Sequence, residues 1–163
     1  TLSSSSAASD VYKRQVRDYV SELYEPAAAS AHAVANDGFA RARSLAAWKA
    51  GVLMGWGDVR VQSVDADTSA AHEGDTRFAS AQVDIDGLQL ADLDVQLLHG
   101  PIASTGEFIG TPDVLSMHHI GDGRFEATYR VNAAGPYGIT VRVLPVHPAL
   151  ITPVELGRAA WAG

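Results

Sequence analysis

The stretch HHIGDGRFEATYRV, residues 118–131, decides the reading of the fold. Phe125, Ala127, Tyr129 and Val131 alternate with Glu126, Thr128 and Arg130, which is the period-two pattern of a strand with one buried face. Just upstream, Gly121-Asp122-Gly123 supplies residues that tolerate left-handed backbone, so this strand and the one before it form a hairpin. The earlier strand is expected to carry Leu115, Met117 and His119 on one face.

The same period extends outward in both directions. Val59 and Val61 alternate with Arg60 and Gln62; Ala79, Ala81, Val83 and Ile85 alternate with Ser80, Gln82, Asp84 and Asp86. Leu93, Val95 and Leu97 alternate with Asp94 and Gln96, and Ile139, Val141 and Val143 with Thr140 and Arg142. Turn signals at Asp86-Gly87, Gly100-Pro101 and Gly135-Pro136 separate these runs. A chain with this many short strands, each with one apolar face, must lay one sheet on another, so the expected fold is an immunoglobulin-like antiparallel β-sandwich over residues 58–148. The Cys-Trp-Cys core of antibody domains is ruled out, because the chain has no cysteine.

Upstream of Gly57 the period becomes helical. Val16, Tyr19, Val20, Leu23 and Tyr24 line one helix face before Pro26 interrupts, and Leu45, Trp48, Val52 and Trp56 line a second. Gly38 and Gly51 are where that second run is expected to split or fray. Residues 16–57 therefore read as a helical segment ahead of the sandwich, giving a mostly β chain with N-terminal helices. Residues 1–15 (TLSSSSAASDVYKRQ) are Ser- and Ala-rich without apolar period and resemble translated adapter sequence. They are expected to be an artefactual or disordered leader, with the natural chain continuing upstream of Val16. In the tail, residues 149–163, the dense prolines suggest an extended strap with a terminal helical turn over Val154 to Trp161.

Charge narrows the partners. Residues 1–57 hold six Lys or Arg against five Asp or Glu, whereas residues 58–163 hold six against fourteen. An acidic second half argues against nucleic acid and against anionic membrane surfaces, both of which draw on clustered cations. The absence of an apolar span and of a secretory signal makes the cytoplasm the default compartment. With no cysteine there is no thiolate metal site, disulfide or cysteine nucleophile.

Chemistry-bearing constellations are sparse. His32, His72, His99, His118, His119 and His147 are scattered, and adjacent strand residues such as His118 and His119 point to opposite faces, so no metal site is expected. Asp84 with Asp86, and Asp92 with Asp94, share strand faces as a general acid and base require, but on the wet side. The run Asp65, Asp67, Glu73, Asp75 lacks the order of a calcium loop. No glycine-rich phosphate cradle or GxSxG elbow occurs. Phe108, Tyr129 and Tyr137 are the aromatic residues that a sugar-stacking surface would draw on. No catalytic, cofactor-binding or metal-ligating residue is assigned.

Two stretches carry a resemblance: Arg41-Ala42-Arg43-Ser44-Leu45-Ala46-Ala47-Trp48-Lys49 leading to Trp56, and Gly135-Pro136-Tyr137-Gly138-Ile139-Thr140-Val141-Arg142-Val143-Leu144-Pro145 followed by His147-Pro148 and Pro153-Val154-Glu155-Leu156-Gly157. Both are similar to the C-terminal end of the actinobacterial-type α-glucan (glycogen or maltodextrin) phosphorylases. Gly57 stands where that pattern has proline, and Gly51 where a better helix former is expected. The resemblance implies a parent that transfers glucosyl units from an α-1,4-glucan to inorganic phosphate, with pyridoxal phosphate held on a lysine. It also implies a catalytic body upstream as the chain's missing partner, with α-glucan and a homo-oligomer contact as further partners. The two lysines here, Lys13 and Lys49, are not suited to the Schiff base: one lies in the leader and the other on the polar side of a helix. The chain alone is thus expected to be inactive. The rival reading is an autonomous immunoglobulin-like module that binds carbohydrate.

Overall fold

The computed structural model describes residues 39–67, 69, 72–85 and 87–163. The leader, the Val16–Tyr24 run, Gly38 and Asp86 lie outside the described residues. The chain divides into two compact units, Thr1–Trp48 and Lys49–Gly163.

The described part of the first unit is the opening of helix α1 (Ala40–Gly55), which continues into the second. Ala, Arg, Leu, Lys and Met dominate α1, all strong helix formers. The helix runs straight through Gly51, whose cost of about 1 kcal/mol relative to Ala these neighbours offset. It ends at Gly55, where a Cβ would lie 2.8 Å from Cδ2 of Leu88. A 3-10 turn, Trp56–Asp58, follows. Val52 and Trp56, four residues apart, are both buried, as the apolar period predicts.

Among the described residues eight strands make two antiparallel four-stranded sheets: β1 (Arg60–Ala66), β2 (Thr76–Asp84), β3 (Leu93–Pro101), β4 (Asp113–Ser116), β5 (His118–Gly121), β6 (Arg124–Arg130), β7 (Tyr137–Pro145) and β8 (Ala160–Trp161). Their orders are β1-β2-β6-β5 and β4-β3-β7-β8. In immunoglobulin lettering these are A-B-E-D and C′-C-F-G, so the expected sandwich is the fold observed. Ala79, Ala81, Val83, Phe125 and Ala127 form the buried face of the first sheet. Val95, Leu97, Val141 and Val143 form that of the second, the last three at 0% exposure.

Three local expectations are corrected. Leu115, Met117 and His119 do not share one strand. Leu115 pairs with Leu97 in the second sheet, His119 pairs with Phe125 in the first, and buried Met117 marks the crossing, its N–H bonded to the Val95 carbonyl. Alternation records which side chains face inward but not which sheet supplies the partner, so a chain that changes sheets mid-run looks continuous. Asp92 and Asp94 do not share a strand face either, because Asp92 closes a 3-10 turn (Leu90–Asp92) and only Asp94 is in β3. Finally, Val154 to Trp161 is not a helical turn. Gly157 with φ +60° turns the chain, and β8 then pairs Ala160 with Val143 and Trp161 with Arg142. The Arg142 guanidinium lies 5.5 Å from the Trp161 ring centre, a cation–π distance.

The hairpin between β5 and β6 forms as expected, with Gly121, Asp122 and Gly123 all at positive φ. Its tip is seated on β2: Val83 donates to the Gly123 carbonyl at 2.8 Å, and a Cβ on Gly123 would lie 2.6 Å from the Val83 carbonyl oxygen. Gly157 also has positive φ but open space around it. Gly157→Ala should therefore cost about 1 kcal/mol, the left-handed backbone alone, and Gly123→Ala clearly more, read as the difference in urea midpoints; equal losses would mean the tip is not held against β2.

Candidate functional site

Among the described residues a dense polar cluster sits between the sheets, at the end of the inward run of β3. Alternation along β3 places Val95, Leu97 and His99 on one side, and His99 is 3% exposed. Its Nδ1 lies 2.8 Å from the Tyr137 hydroxyl, and its ring centre 4.8 Å from that of Tyr129 on the opposite sheet. The Tyr137 hydroxyl also donates to Asn132 Oδ1 at 3.0 Å, and Asn132 Nδ2 donates to Asp113 at 2.6 Å. On the far side, Tyr129 bonds the buried Arg77 guanidinium, which donates to the Asp67 and Ser69 carbonyls.

Tyr137 begins β7, the F position, and its hydroxyl turns back to Asn132, the arrangement of a tyrosine corner. The hydroxyl has one proton for two acceptors. When it goes to Asn132, His99 Nδ1 must carry a hydrogen, and when it goes to His99, the ring hydrogen sits on Nε2. Burial lowers the His99 pKa, with the Asp113 charge opposing, and burial raises Tyr129 and Tyr137. All three groups are thereby kept neutral, which suits a cross-sheet fastener rather than acid–base chemistry.

The aromatic residues expected at a sugar-stacking surface are consequently misplaced for it. Tyr129 is buried, and the Tyr137 hydroxyl is engaged inside the cluster. Phe108 is half-buried, paired through Ile102 beside Gly100. Among the described residues the exposed aromatics are instead Phe39, Trp161 and, on the outer face of β2, Phe78 at 47%. The signal was present, since the parity that buries Ala79 and Ala81 puts Phe78 outside.

The remaining candidates do not converge. His72 is exposed with Nδ1 3.5 Å from Asp75, His119 packs against Phe125, His118 is exposed, and His147 accepts from the Ala149 N–H; His32 lies outside the described residues. Among the described residues no three metal-ligating side chains come together. Asp94 accepts from Gln96 at 2.6 Å and Asp84 from Gln62 at 3.5 Å, while Asp86 lies outside the described residues. Lys49 is a partly exposed lysine whose ammonium is 2.5 Å from Glu155, and the other Glu155 oxygen accepts from the Ile151 N–H. That lysine hydrogen bond, then the backbone one, lowers the Glu155 pKa.

The sequence matches the family described as glycogen phosphorylase C-terminal domain over residues 56–163. Among curated proteins it is 37% identical to a glycogen phosphorylase of Mycobacterium bovis over 158 residues, covering 91% of this chain and 18% of the relative. A glycogen phosphorylase of Mycobacterium tuberculosis is 36% identical with the same coverage. A maltodextrin phosphorylase of Thermococcus litoralis is 30% identical over 92% of this chain and 18% of its own length. The chain thus spans about a fifth of the length of these relatives.

Because the His99 pKa is lowered on folding, its contribution to stability is complete above the unfolded value of about 6.5. It is lost as pH falls below that, where the unfolded chain takes the proton first. Denaturation midpoints measured from about pH 7 to about pH 5 should fall more steeply for the natural chain than for His99→Gln; parallel curves would show that His99 is not held neutral.

Proposed function

The chain belongs to the glycogen phosphorylase C-terminal domain family, and from that premise we propose that it is the non-catalytic closing part of an α-glucan phosphorylase. The parent reaction is glucosyl transfer from the end of an α-1,4-glucan to inorganic phosphate, giving glucose 1-phosphate, in the cytoplasm. The observation that carries this reading is the match itself: 91% of this chain falls on 18% of a glycogen phosphorylase.

Pyridoxal phosphate, implied for the parent, does not fit the residues described here. A Schiff base needs a lysine amine free to attack, and the ammonium of Lys49 is taken by Glu155. The cofactor and the chemistry are accordingly assigned to the parent's body. The surface around the Lys49–Glu155 pair supports such a body. Leu53 lies one turn along α1 from Lys49, Met54 is 85% exposed, and Ile151 and Val154 on the strap are 91% and 61% exposed. Apolar side chains this bare are what a covering partner leaves behind.

The rival, an autonomous immunoglobulin-like module, draws on the sandwich's own closed core. A chimera separates the two. With this chain in place of the matched part of the Mycobacterium tuberculosis glycogen phosphorylase, glycogen and phosphate should yield glucose 1-phosphate at a rate within about tenfold of the intact enzyme, while the chain alone yields none. A folded but inactive chimera would favour the autonomous module.

A further inference from the structure

We infer that the outer face of the β1-β2-β6-β5 sheet carries a glucan-binding trough with Phe78 as its stacking platform. The existence of the site stands on its geometry; the identity of the sugar rests on the phosphorylase reading.

Three hollows lie in line over the β1–β2 seam. The first, about 220 Å3, is lined by Ser63, Asp65, Ser80, Gln82 and Arg124. The second, about 330 Å3, shares Asp65 and extends past Ala66 and Phe78 to Asp67 and Thr76. The third, about 480 Å3, shares Asp67, Thr76 and Arg77 and runs on to Asp75. The third opens beyond the end of the other two, where the buried Arg77 turns inward to Tyr129. The first two hollows share Asp65 and form one shallow trough beside β2 from Gln82 to Thr76, seven residues or about 23 Å. That is room for several sugar units end to end.

Its lining chemistry selects the ligand. A sugar ring presents hydroxyl donors and acceptors around its rim and a C–H surface on its face, so it wants carboxylates, amides and hydroxyls beside a bare aromatic ring. Phe78 is that ring. It is flanked on its own strand by Thr76 and Ser80 and across the sheet by Thr128, none of which shields it from water. Asp65 and Asp67 supply acceptors within the same hollow as Phe78.

The competing ligands are disfavoured on physical grounds. A polyanion would meet fourteen carboxylates against six cations over residues 58–163. A peptide added as a strand needs an unpaired edge, whereas β2 is bonded on both sides, to β1 and to β6. An uncharged polyhydroxyl chain incurs neither penalty. The platform is also preorganised. Phe78 projects from an internal strand, and the Arg77 guanidinium holds the adjoining loop through the Asp67 carbonyl at 3.1 Å and the Ser69 carbonyl and hydroxyl at 3.0 and 3.2 Å. The relatives are named for glycogen and maltodextrin, both α-1,4-linked glucans.

The test is a titration of the full isotope-labelled chain with maltoheptaose, following amide shifts, with cellohexaose as the β-linked control. Saturable shifts confined to β1, β2 and the β6 residues facing them are expected, with a Kd in the range of about 1 mM. Phe78→Ala, a change at an exposed position that leaves the spectrum of the core intact, should weaken binding about tenfold or more, and Asp65→Asn should weaken it too. Phe108→Ala should leave it unchanged. No shifts up to about 10 mM maltoheptaose, or shifts that persist undiminished in Phe78→Ala, would overturn the site. Equal binding of cellohexaose would uphold the trough and overturn its assignment to an α-glucan.

Discussion

Everything in this chain depends on two apolar sheet faces covering each other. A period-two strand keeps half its side chains dry only if a second sheet lies on it, and here Leu97, Val141 and Val143 of one sheet are sealed completely against the face carrying Ala79, Ala81 and Phe125. Each such side chain contributes about 1.5–3 kcal/mol when fully buried, so the stacking outweighs any single polar contact. The small residues of β2, Ala79 and Ala81, let the larger ones opposite enter the gap. At the open end, where apolar side chains run out, His99, Tyr129 and Tyr137 complete the contact, His99 bonding Tyr137, Tyr137 bonding Asn132 and Tyr129 bonding Arg77.

That constraint explains what was legible in the sequence. Burial parity was correct for β2, β3, β6 and β7 because a one-residue slip would expose the whole face. The Gly121-Asp122-Gly123 turn was legible because only certain residues accept its backbone. What escaped the sequence was set by distant partners. The crossing at Met117, the β8 strand against β7 and the Lys49–Glu155 bond, across 106 residues, each depend on where the chain returns. His99 was read as one of several scattered histidines, although its parity with Val95 and Leu97 placed it inside. Phe78 has the opposite parity to Ala79 and Ala81, which sets its ring outside.

The candidate site follows the same division. Inside the sandwich His99, Tyr129 and Tyr137 are kept neutral and, with the buried Arg77 guanidinium, hold the sheets together. The outside is acidic, hydroxyl-rich and, at Phe78, aromatic, a surface on which a neutral polyol meets no penalty. Under the proposed function, such a surface would hold polymer while the chemistry proceeds in the parent's body.

The most direct measurement is the steady-state kinetics of the chimeric phosphorylase with and without Phe78→Ala, using glycogen as substrate. A non-catalytic, polymer-holding role predicts a higher KM for glycogen with kcat unchanged, because binding is lost equally from ground and transition states. A fall in kcat at unchanged KM would contradict it and place this domain in the chemical step.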